Sequence, residues 1–229
     1  MKIALGIQAR LSSSRLPKKM LKSVGEKKLI SLVVEKVLKS NFKNNFFILI
    51  PDSKEDEELE QFCKKKKIKY FIGSLNNVFL RYKKFLETFD LDGVVRICGD
   101  SPLIDPFTIN ILYNIALKKE KYDLITNCFP KTFPSGQSVE IIKRSAFEKV
   151  LVEKLTNSHK EHVTNYFYEN HKNFSIFNVN CHYTHNFEKT SIDTEEDLNY
   201  LKKIYKDLID KNLNVEIQKI INYIKKNER

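Results

Sequence analysis

The chain opens on a short apolar run, Ile3-Ala4-Leu5-Gly6-Ile7, followed after Gln8 and Ala9 by a polar, proline-containing stretch that reaches Lys19. A run this short, apolar at consecutive positions, predicts a strand buried on both faces in a parallel sheet. Leu29, Ile30, Val33, Val34, Val37 and Leu38 then recur at helical spacing. Phe46 to Ile50 reads as a second strand closed by Pro51-Asp52, residues 55–66 as a helix, and Tyr70-Phe71-Ile72 as a strand ended by Gly73-Ser74. A helix over 77–89, a strand from Val94 to Cys98, a helix over 106–119 and a strand from Asp123 to Thr126 continue the rhythm. Beyond them the pattern loosens into a strand over Val139 to Ile142, helices over 145–154 and 160–170, and a strand over 174–180. A final helix begins near Thr194, where Thr194-Glu195-Glu196-Asp197 has the form of a capping box and Leu198, Leu201, Tyr205 and Leu208 make an apolar stripe.

Strands alternating with helices in this way predict an α/β fold with a mostly parallel sheet covered on both faces. No repeat, low-complexity block or linker divides the chain, so one domain is expected, with a nucleotide-binding part over about 1–127 and a substrate-side part over about 128–229. Open parallel sheets bind ligands beyond the carboxyl ends of their strands. That rule singles out two loops, residues 9–19 after the first strand and residues 99–105 after the fourth.

The first loop carries Arg10, Ser12, Ser13, Arg15 and Lys19. Arginine is scarce here, six residues among 40 basic ones, yet two of the six fall in this loop. A guanidinium supplies paired donors where lysine supplies a point charge, so its use here suits recognition of an oxyanion such as a triphosphate. The plain alternative is a solvated surface loop. Neither a P-loop nor a Gly-x-Gly-x-x-Gly fingerprint occurs in the sequence. The second loop reads Arg96-Ile97-Cys98-Gly99-Asp100-Ser101-Pro102, with Asp100 at a strand end after a glycine that permits close backbone approach. A carboxylate there can hold Mg²⁺ together with phosphate oxygens, or simply shape a turn. Asp193 is the candidate partner carboxylate, with helix capping as its alternative, and Asp105 before Pro106 is expected to be a helix N-cap.

Composition narrows the picture further. The net charge is +11, but lysines are spread along the chain, and the run Lys64 to Lys67 reads as a solvated helix end. A nucleic-acid partner is therefore not expected, and the charge suits an anionic small molecule equally well. No stretch approaches the roughly 18 apolar residues of a membrane span, and the short apolar start lacks a signal-peptide pattern, so a cytoplasmic protein is expected. Four scattered cysteines imply no disulfide framework. Cys181-His182 with His185 is a weak zinc fragment lacking a fourth ligand, and Cys98 lacks a local base that would make it a nucleophile.

Taken together, Ile7-Gln8-Ala9-Arg10 through Ser14-Arg15-Leu16-Pro17 with Lys19 resembles the opening signature of sugar cytidylyltransferases. The chain is most similar to the spore-coat polysaccharide cytidylyltransferase-like group, related to the enzymes that make CMP-activated octulosonate and sialic acids. Further matches follow in order: Val78 to Tyr82, Arg96 to Asp105, Phe133 to Glu140, Glu161-His162-Val163-Thr164, and Asp193 to Leu198. The resemblance implies a single-domain, three-layer nucleotide-diphospho-sugar transferase-like (glycosyltransferase-A) fold. It implies CTP and a small sugar-like acceptor as partners, Mg²⁺ held by Asp100 and Asp193, and a homodimer by family analogy. The nucleotide would be bound by Gln8, Ala9, Arg10, Ser12, Ser13, Arg15, Lys19, Arg81, Arg96 and Gly99, and the acceptor by Glu140, Glu161 and His162. Lys18 stands where the group has glycine, and Asn77 and Ser138 where it has aspartates.

The expected reaction is in-line attack of an acceptor oxygen on the α-phosphorus with departure of pyrophosphate. Arg10, Arg15, Lys19 and Asp100 form the expected catalytic set, with the three cations on the outer phosphates. His162 is either a general base or a structural histidine. A glycosyltransferase using a nucleotide-sugar is the first rival, and Asp90-Leu91-Asp92 is its formal Asp-x-Asp match. A basic nucleic-acid-binding protein is the second.

Overall fold

The computed structural model describes residues 1–119, 121–181, 189–209 and 217–227. Its strands are β1 (Ile3–Gln8), β2 (Ser23–Val24), β3 (Lys27–Lys28), β4 (Phe46–Pro51), β5 (Tyr70–Gly73), β6 (Gly93–Cys98), β7 (Leu124–Thr126), β8 (Glu140–Lys143) and β9 (Ile176–Asn178). The helices are α1 (Leu29–Leu38), α2 (Glu57–Lys66), α3 (Val78–Thr88), α4 (Pro106–Lys118), α5 (Arg144–Glu148), α6 (Asn157–Glu161), α7 (Asn165–Glu169), α8 (Glu195–Ile204) and α9 (Ile217–Asn227).

Seven strands form one sheet in the order β5-β4-β1-β6-β8-β7-β9, and β2 and β3 make a separate hairpin. The ladders among β5, β4, β1 and β6 are parallel. β8 runs antiparallel to both β6 and β7, while β9 returns parallel to β7. The expected mostly parallel sheet is present, and the antiparallel strand β8 is what joins its two halves.

β1 shows why the central strands are apolar at every position. Ile3, Leu5 and Ile7 point to one face, where they meet α1, α2 and α4. Ala4 points to the other, among residues of α3, α5 and α7. Burying each Ile or Leu side chain contributes roughly 1.5–3 kcal/mol. Small residues face α3 because that helix lies close: a Cβ on Gly6 would sit 3.1 Å from Tyr82 Cε1 and 2.9 Å from Leu49 Cδ1. The Tyr82 hydroxyl takes up that space by donating to the Gly6 carbonyl at 3.2 Å.

A third cluster lies off the sheet and packs α8 and α9 against Leu16, Val24, Leu29, Leu32, Leu103 and Ile192. It draws the end of the chain back onto the first loop. The Thr194 capping box is present, and Asp105 caps α4 by accepting from Phe107 N at 3.1 Å. Three local expectations change. The helix at Thr194 passes into a π-helical turn, Tyr205–Ile209, and is followed by α9, so it is not the last. The predicted helices over 145–154 and 160–170 are broken into α5, α6, α7 and single turns. The hairpin β2–β3, turned by Gly25 at φ 59°, lies between the first loop and α1, where the sequence pattern assigns no element.

Asp123, buried where β7 begins, ties three elements together. Its carboxylate accepts from Ser175 N at 3.0 Å, Ser175 Oγ at 3.1 Å and Lys149 Nζ at 2.7 Å. Burial opposes its charge, but the bonds from Lys149 and Ser175 outweigh burial and hold its carboxyl below the ordinary range. A depressed folded-state pKa contributes stability above the unfolded value of about 3.9, and that stability is lost as pH falls through the folded value. Asp123→Asn should therefore lose about 1–3 kcal/mol in urea unfolding at pH 7, with the gap to wild type narrowing at an acid pH below the ordinary carboxylate range. Equal losses at both pH values would refute this assignment.

Candidate active site

The parallel strands β1 and β6 end side by side, with Gln8 paired to Cys98 in register. The chain leaves both ends in tight turns, and Gly99 N donates to the Gln8 carbonyl at 2.8 Å. A Cβ on Gly99 would meet Ala9 Cβ, the Gln8 carbonyl and Met20 Sδ, each at 3.1 Å, so glycine is what lets the two loops close together. Loop one is shaped from beneath by Asp56, 1% exposed, which accepts from Leu11 N at 2.7 Å.

The cleft above these strand ends has a volume of about 290 Å³. Gln8, Arg10, Ser13, Arg15, Lys19, Arg81, Arg96, Asp100, Glu161, His162 and Asp193 all line it, so most of the predicted residues converge. Four lie elsewhere. Ala9 is buried in the core, and Gly99 makes the turn contact just described. Ser12 faces a larger, open hollow of about 1090 Å³ between loop one and α2, whose Glu55, Glu57 and Glu58 suit a triphosphate poorly. Glu140 is 2% exposed and lies beneath the cleft floor.

At one end of the cleft the Lys19 ammonium sits between two carboxylates. It donates to Asp100 Oδ2 at 2.8 Å, Asp193 Oδ1 at 3.3 Å and the Ile192 carbonyl at 2.8 Å. The expectation placed Lys19 on the outer phosphates; here these three acceptors match its three hydrogens. Arg15 also reaches Asp193 at 3.1 Å, and Lys189 reaches its other oxygen at 3.3 Å. Burial disfavours charge on Asp193, yet Lys19 and Lys189 together hold its carboxyl below the ordinary range.

Asp193 is delivered by a backbone crossing. Residues 190–193 run beside Ser135, with Thr190 N donating to the Ser135 carbonyl and Ile192 N to the Asp100 carbonyl, at 2.8 and 2.9 Å. Gly136, at φ 91°, makes room, since a Cβ there would lie 2.6 Å from Ser191 N. Gln137, 1% exposed, clamps the crossing. Its amide donates to the Leu103 carbonyl at 2.9 Å and Thr190 Oγ1 at 3.0 Å, and its oxygen accepts from Asp105 N at 3.0 Å. Sequence reasoning misses Gln137 and Asp56. The one signal for Gln137 is a long amide beside a glycine within the Phe133 to Glu140 segment.

The floor is a buried polar chain. Arg96 donates through Nε and a terminal nitrogen to Gln8 Oε1 at 3.2 and 3.0 Å, and through the other terminal nitrogen to Glu140. Tyr168 donates to the second Glu140 oxygen at 2.6 Å. Arg81 is fastened to the Ser74 carbonyl at 2.7 Å, and burial brings its pKa down to about 10. Arg10 pairs with Glu161 at 2.9 Å. His162 is exposed at the rim. Burial pushes the Cys98 thiol up to about 12, which disfavours the thiolate.

Two departures from the family pattern resolve structurally. Lys18 has φ 54°, a conformation that favours glycine, and its ammonium points to Glu58 at 2.6 Å, on the α2 side of the loop and not into the cleft. Asn77 caps α3 by accepting from Leu80 N at 2.9 Å, a role an aspartate would also fill. The Asp-x-Asp reading fails on position. Asp90 and Asp92 precede β6, at the end of the sheet away from the cleft, and Asp92 accepts from Lys2 N at 2.6 Å. The zinc fragment cannot be placed, since His182 and His185 lie outside the described residues. Among the described residues, no three His, Cys, Asp or Glu side chains gather to hold a metal, and no helix is long and apolar enough to cross a membrane.

Residues 4–227 match the cytidylyltransferase family. The chain belongs to that family. The cytidylyltransferase is 30% identical to an uncharacterized protein of Methanocaldococcus jannaschii, over 99% of this chain and 92% of the other. It is 29% identical to the spore coat polysaccharide biosynthesis protein SpsF of Bacillus subtilis, over 87% of this chain and 84% of that protein. Among solved structures, a cytidylyltransferase from Leptospira borgpetersenii superposes with a TM-score of 0.92 at 30% identity, covering 100% of this chain and 95% of the other. A CMP-octulosonate synthetase complexed with CTP shares the fold, with a TM-score of 0.68 at 15% identity, over 90% of this chain and 99% of the other.

Within the enzyme, Gln137→Ala should remove the side-chain partner of Asp105 N and the Leu103 carbonyl and leave Thr190 Oγ1 with only its bond to the Ser135 carbonyl. A loss of about 1–3 kcal/mol is expected on unfolding, with kcat lowered more than nucleotide affinity. Unchanged turnover would show that the clamp does not set the position of Asp193.

Proposed function

We propose that this cytidylyltransferase transfers CMP from CTP to a small sugar-like acceptor, with Mg²⁺ held by Asp100 and Asp193, to supply an activated sugar for surface polysaccharide. The observation that carries the reading is the convergence of those two carboxylates on one cation position, beside Arg10 and Arg15 in a cleft at the strand ends. Because both carboxylate oxygens touch one ammonium, they are close enough to share a metal ion. Two carboxylates with the remaining positions left to phosphate oxygens and water is the donor set Mg²⁺ favours. Bound there, Mg²⁺ would neutralise charge developing at the α-phosphate.

The chain's own residues supply the rest. Arg10 and Arg15, the more exposed guanidiniums, bind the outer phosphates and stabilise departing pyrophosphate. Lys19 keeps the two carboxylates at one spacing and adds its charge to phosphates bound against them. Gln8, held by Arg96, and Ser13 line the nucleotide side. Glu161 and His162 face the acceptor, and Glu140 acts on it through Arg96 and Tyr168. The kinship with a spore coat polysaccharide protein supports the pathway assignment. A homodimer working in the cytoplasm, where CTP is made, completes the proposal.

Calorimetric titration with CTP, UTP, GTP and ATP in the presence of Mg²⁺ tests the reading, followed by pyrophosphate release across a panel of sugar acids and sugar phosphates. CTP should bind in preference to the others. Asp100→Asn should lower turnover by roughly 10²–10³-fold, about 2.7–4 kcal/mol, while retaining the wild-type melting transition. A fully active Asp100→Asn enzyme would refute the metal assignment.

A further inference from the structure

Gln8 ends β1 half-buried in the wall of the cleft, and Arg96 holds its side-chain oxygen through Nε and one terminal nitrogen. A guanidinium only donates, so the nitrogen of the Gln8 amide is turned away from it. Among the described residues that nitrogen has no hydrogen-bond partner, and it is not sealed from solvent. A neutral, oriented donor of this kind fixes the pose of a ligand more than it attracts charge. It suits an uncharged acceptor on the nucleoside better than a phosphate.

What keeps Arg96 on Gln8 lies deeper. A carboxylate beside an arginine commonly takes the guanidinium as a fork, one N–H to each oxygen. Glu140 instead accepts a single terminal nitrogen of Arg96 at one oxygen, while its other oxygen accepts from the Tyr168 hydroxyl at 2.6 Å. That proton is committed to the carboxylate, so Thr126 Oγ1, 2.9 Å away, is the donor to the phenol oxygen. Phe129 stacks on the Tyr168 ring, with 4.8 Å between centroids and 5° between planes. Burial, with the Glu140 charge beside it, raises the phenol pKa far above its ordinary value and keeps the proton in place. Without that hydroxyl, Glu140 is free to draw a second N–H from Arg96, and the hold on Gln8 loosens.

Resting on the nucleotide reading above, we infer that Tyr168 is a positioning residue for nucleotide recognition. Through Glu140 and Arg96 it keeps the Gln8 amide aimed as a donor at a nucleoside oxygen, either the pyrimidine O2 carbonyl or the ribose 2′-hydroxyl. Tyr168 does not itself line the cleft, so its effect on the ligand is carried by Gln8.

A double-mutant cycle on CTP affinity, read by calorimetry with Mg²⁺, is the test. Gln8→Ala and Tyr168→Phe should each weaken CTP by about three- to tenfold. The double variant should stay within about twofold of Gln8→Ala alone, because Tyr168 acts through an amide already removed. Wild-type affinity in Tyr168→Phe, or losses that multiply in the double variant, would overturn the inference. 2-Thio-CTP and 2′-deoxy-CTP identify the oxygen. One of them should bind the wild-type protein more weakly than CTP does and show no such penalty on Gln8→Ala; the failure of both would also overturn it. Should Tyr168→Phe melt abnormally, Thr126→Val removes the donor to the phenol and makes the same comparison, with a loss that vanishes on Gln8→Ala expected and no loss counting against. If another nucleotide binds in place of CTP, the cycle is run on it and on its 2′-deoxy form, and the same outcomes decide. Binding of no nucleotide removes this inference together with the reading it rests on.

Discussion

Two carboxylates brought to one end of a cleft repel each other, and the rest of this site depends on how that repulsion is met. The Lys19 ammonium lies between Asp100 and Asp193 and also binds the Ile192 carbonyl, so one cation joins loop one to the turn after β6 and to the crossing segment ahead of α8. Its own position follows from loop one, which Asp56 grips from below at Leu11 N. The opposite segment is set by Gln137 and by the narrow passage at Gly136. The neutral Gln137 bonds are worth about 1 kcal/mol each, and the bond to the Asp56 carboxylate about 1.5–3 kcal/mol. Together they hold these charged groups in one arrangement at the mouth of the cleft.

The floor beneath follows the same logic with different chemistry. A guanidinium has no acceptor, so Gln8 must turn its carbonyl toward Arg96. The Gln8 amide nitrogen is thereby directed away from Arg96 as a donor, with no freedom to flip. Glu140 is satisfied by Arg96 and Tyr168, and Tyr168 lies 2.9 Å from Thr126 Oγ1, so the chain reaches back to β7. A buried charge pair of this kind is strongly destabilising to break at one end, and here it fixes the polarity of the groups above it.

Much of this arrangement is legible in the sequence. β1, β4 and β6 announce themselves as short, mostly apolar runs bounded by turn residues, the pattern of a strand buried on both faces. Asp100, Arg10 and Arg15 stand out because strand ends followed by Gly-Asp or by rare arginines carry chemistry that packing does not require. Asp56 and Gln137 do not, since a buried polar residue serving backbone groups distant in sequence leaves no periodic trace. α9 escapes notice because its apolar positions Ile220, Ile221 and Ile224 acquire meaning only against the loop-one residue Leu16 and the β6–α4 residue Leu103. α5 to α7 are each five residues long and are held by tertiary packing, below the length at which helical spacing can be read.

The partners of Lys19 stand 81, 173 and 174 residues away along the chain. During synthesis on the ribosome the central parallel strands and loop one can assemble long before residue 193 emerges. Until then Asp100 has its lysine but not the second carboxylate, and Gln137 has no Thr190 to grip. The cleft therefore gains its full charge pattern as one of the last acts of folding, so a nascent or truncated chain can hold most of the sheet and still lack a working site.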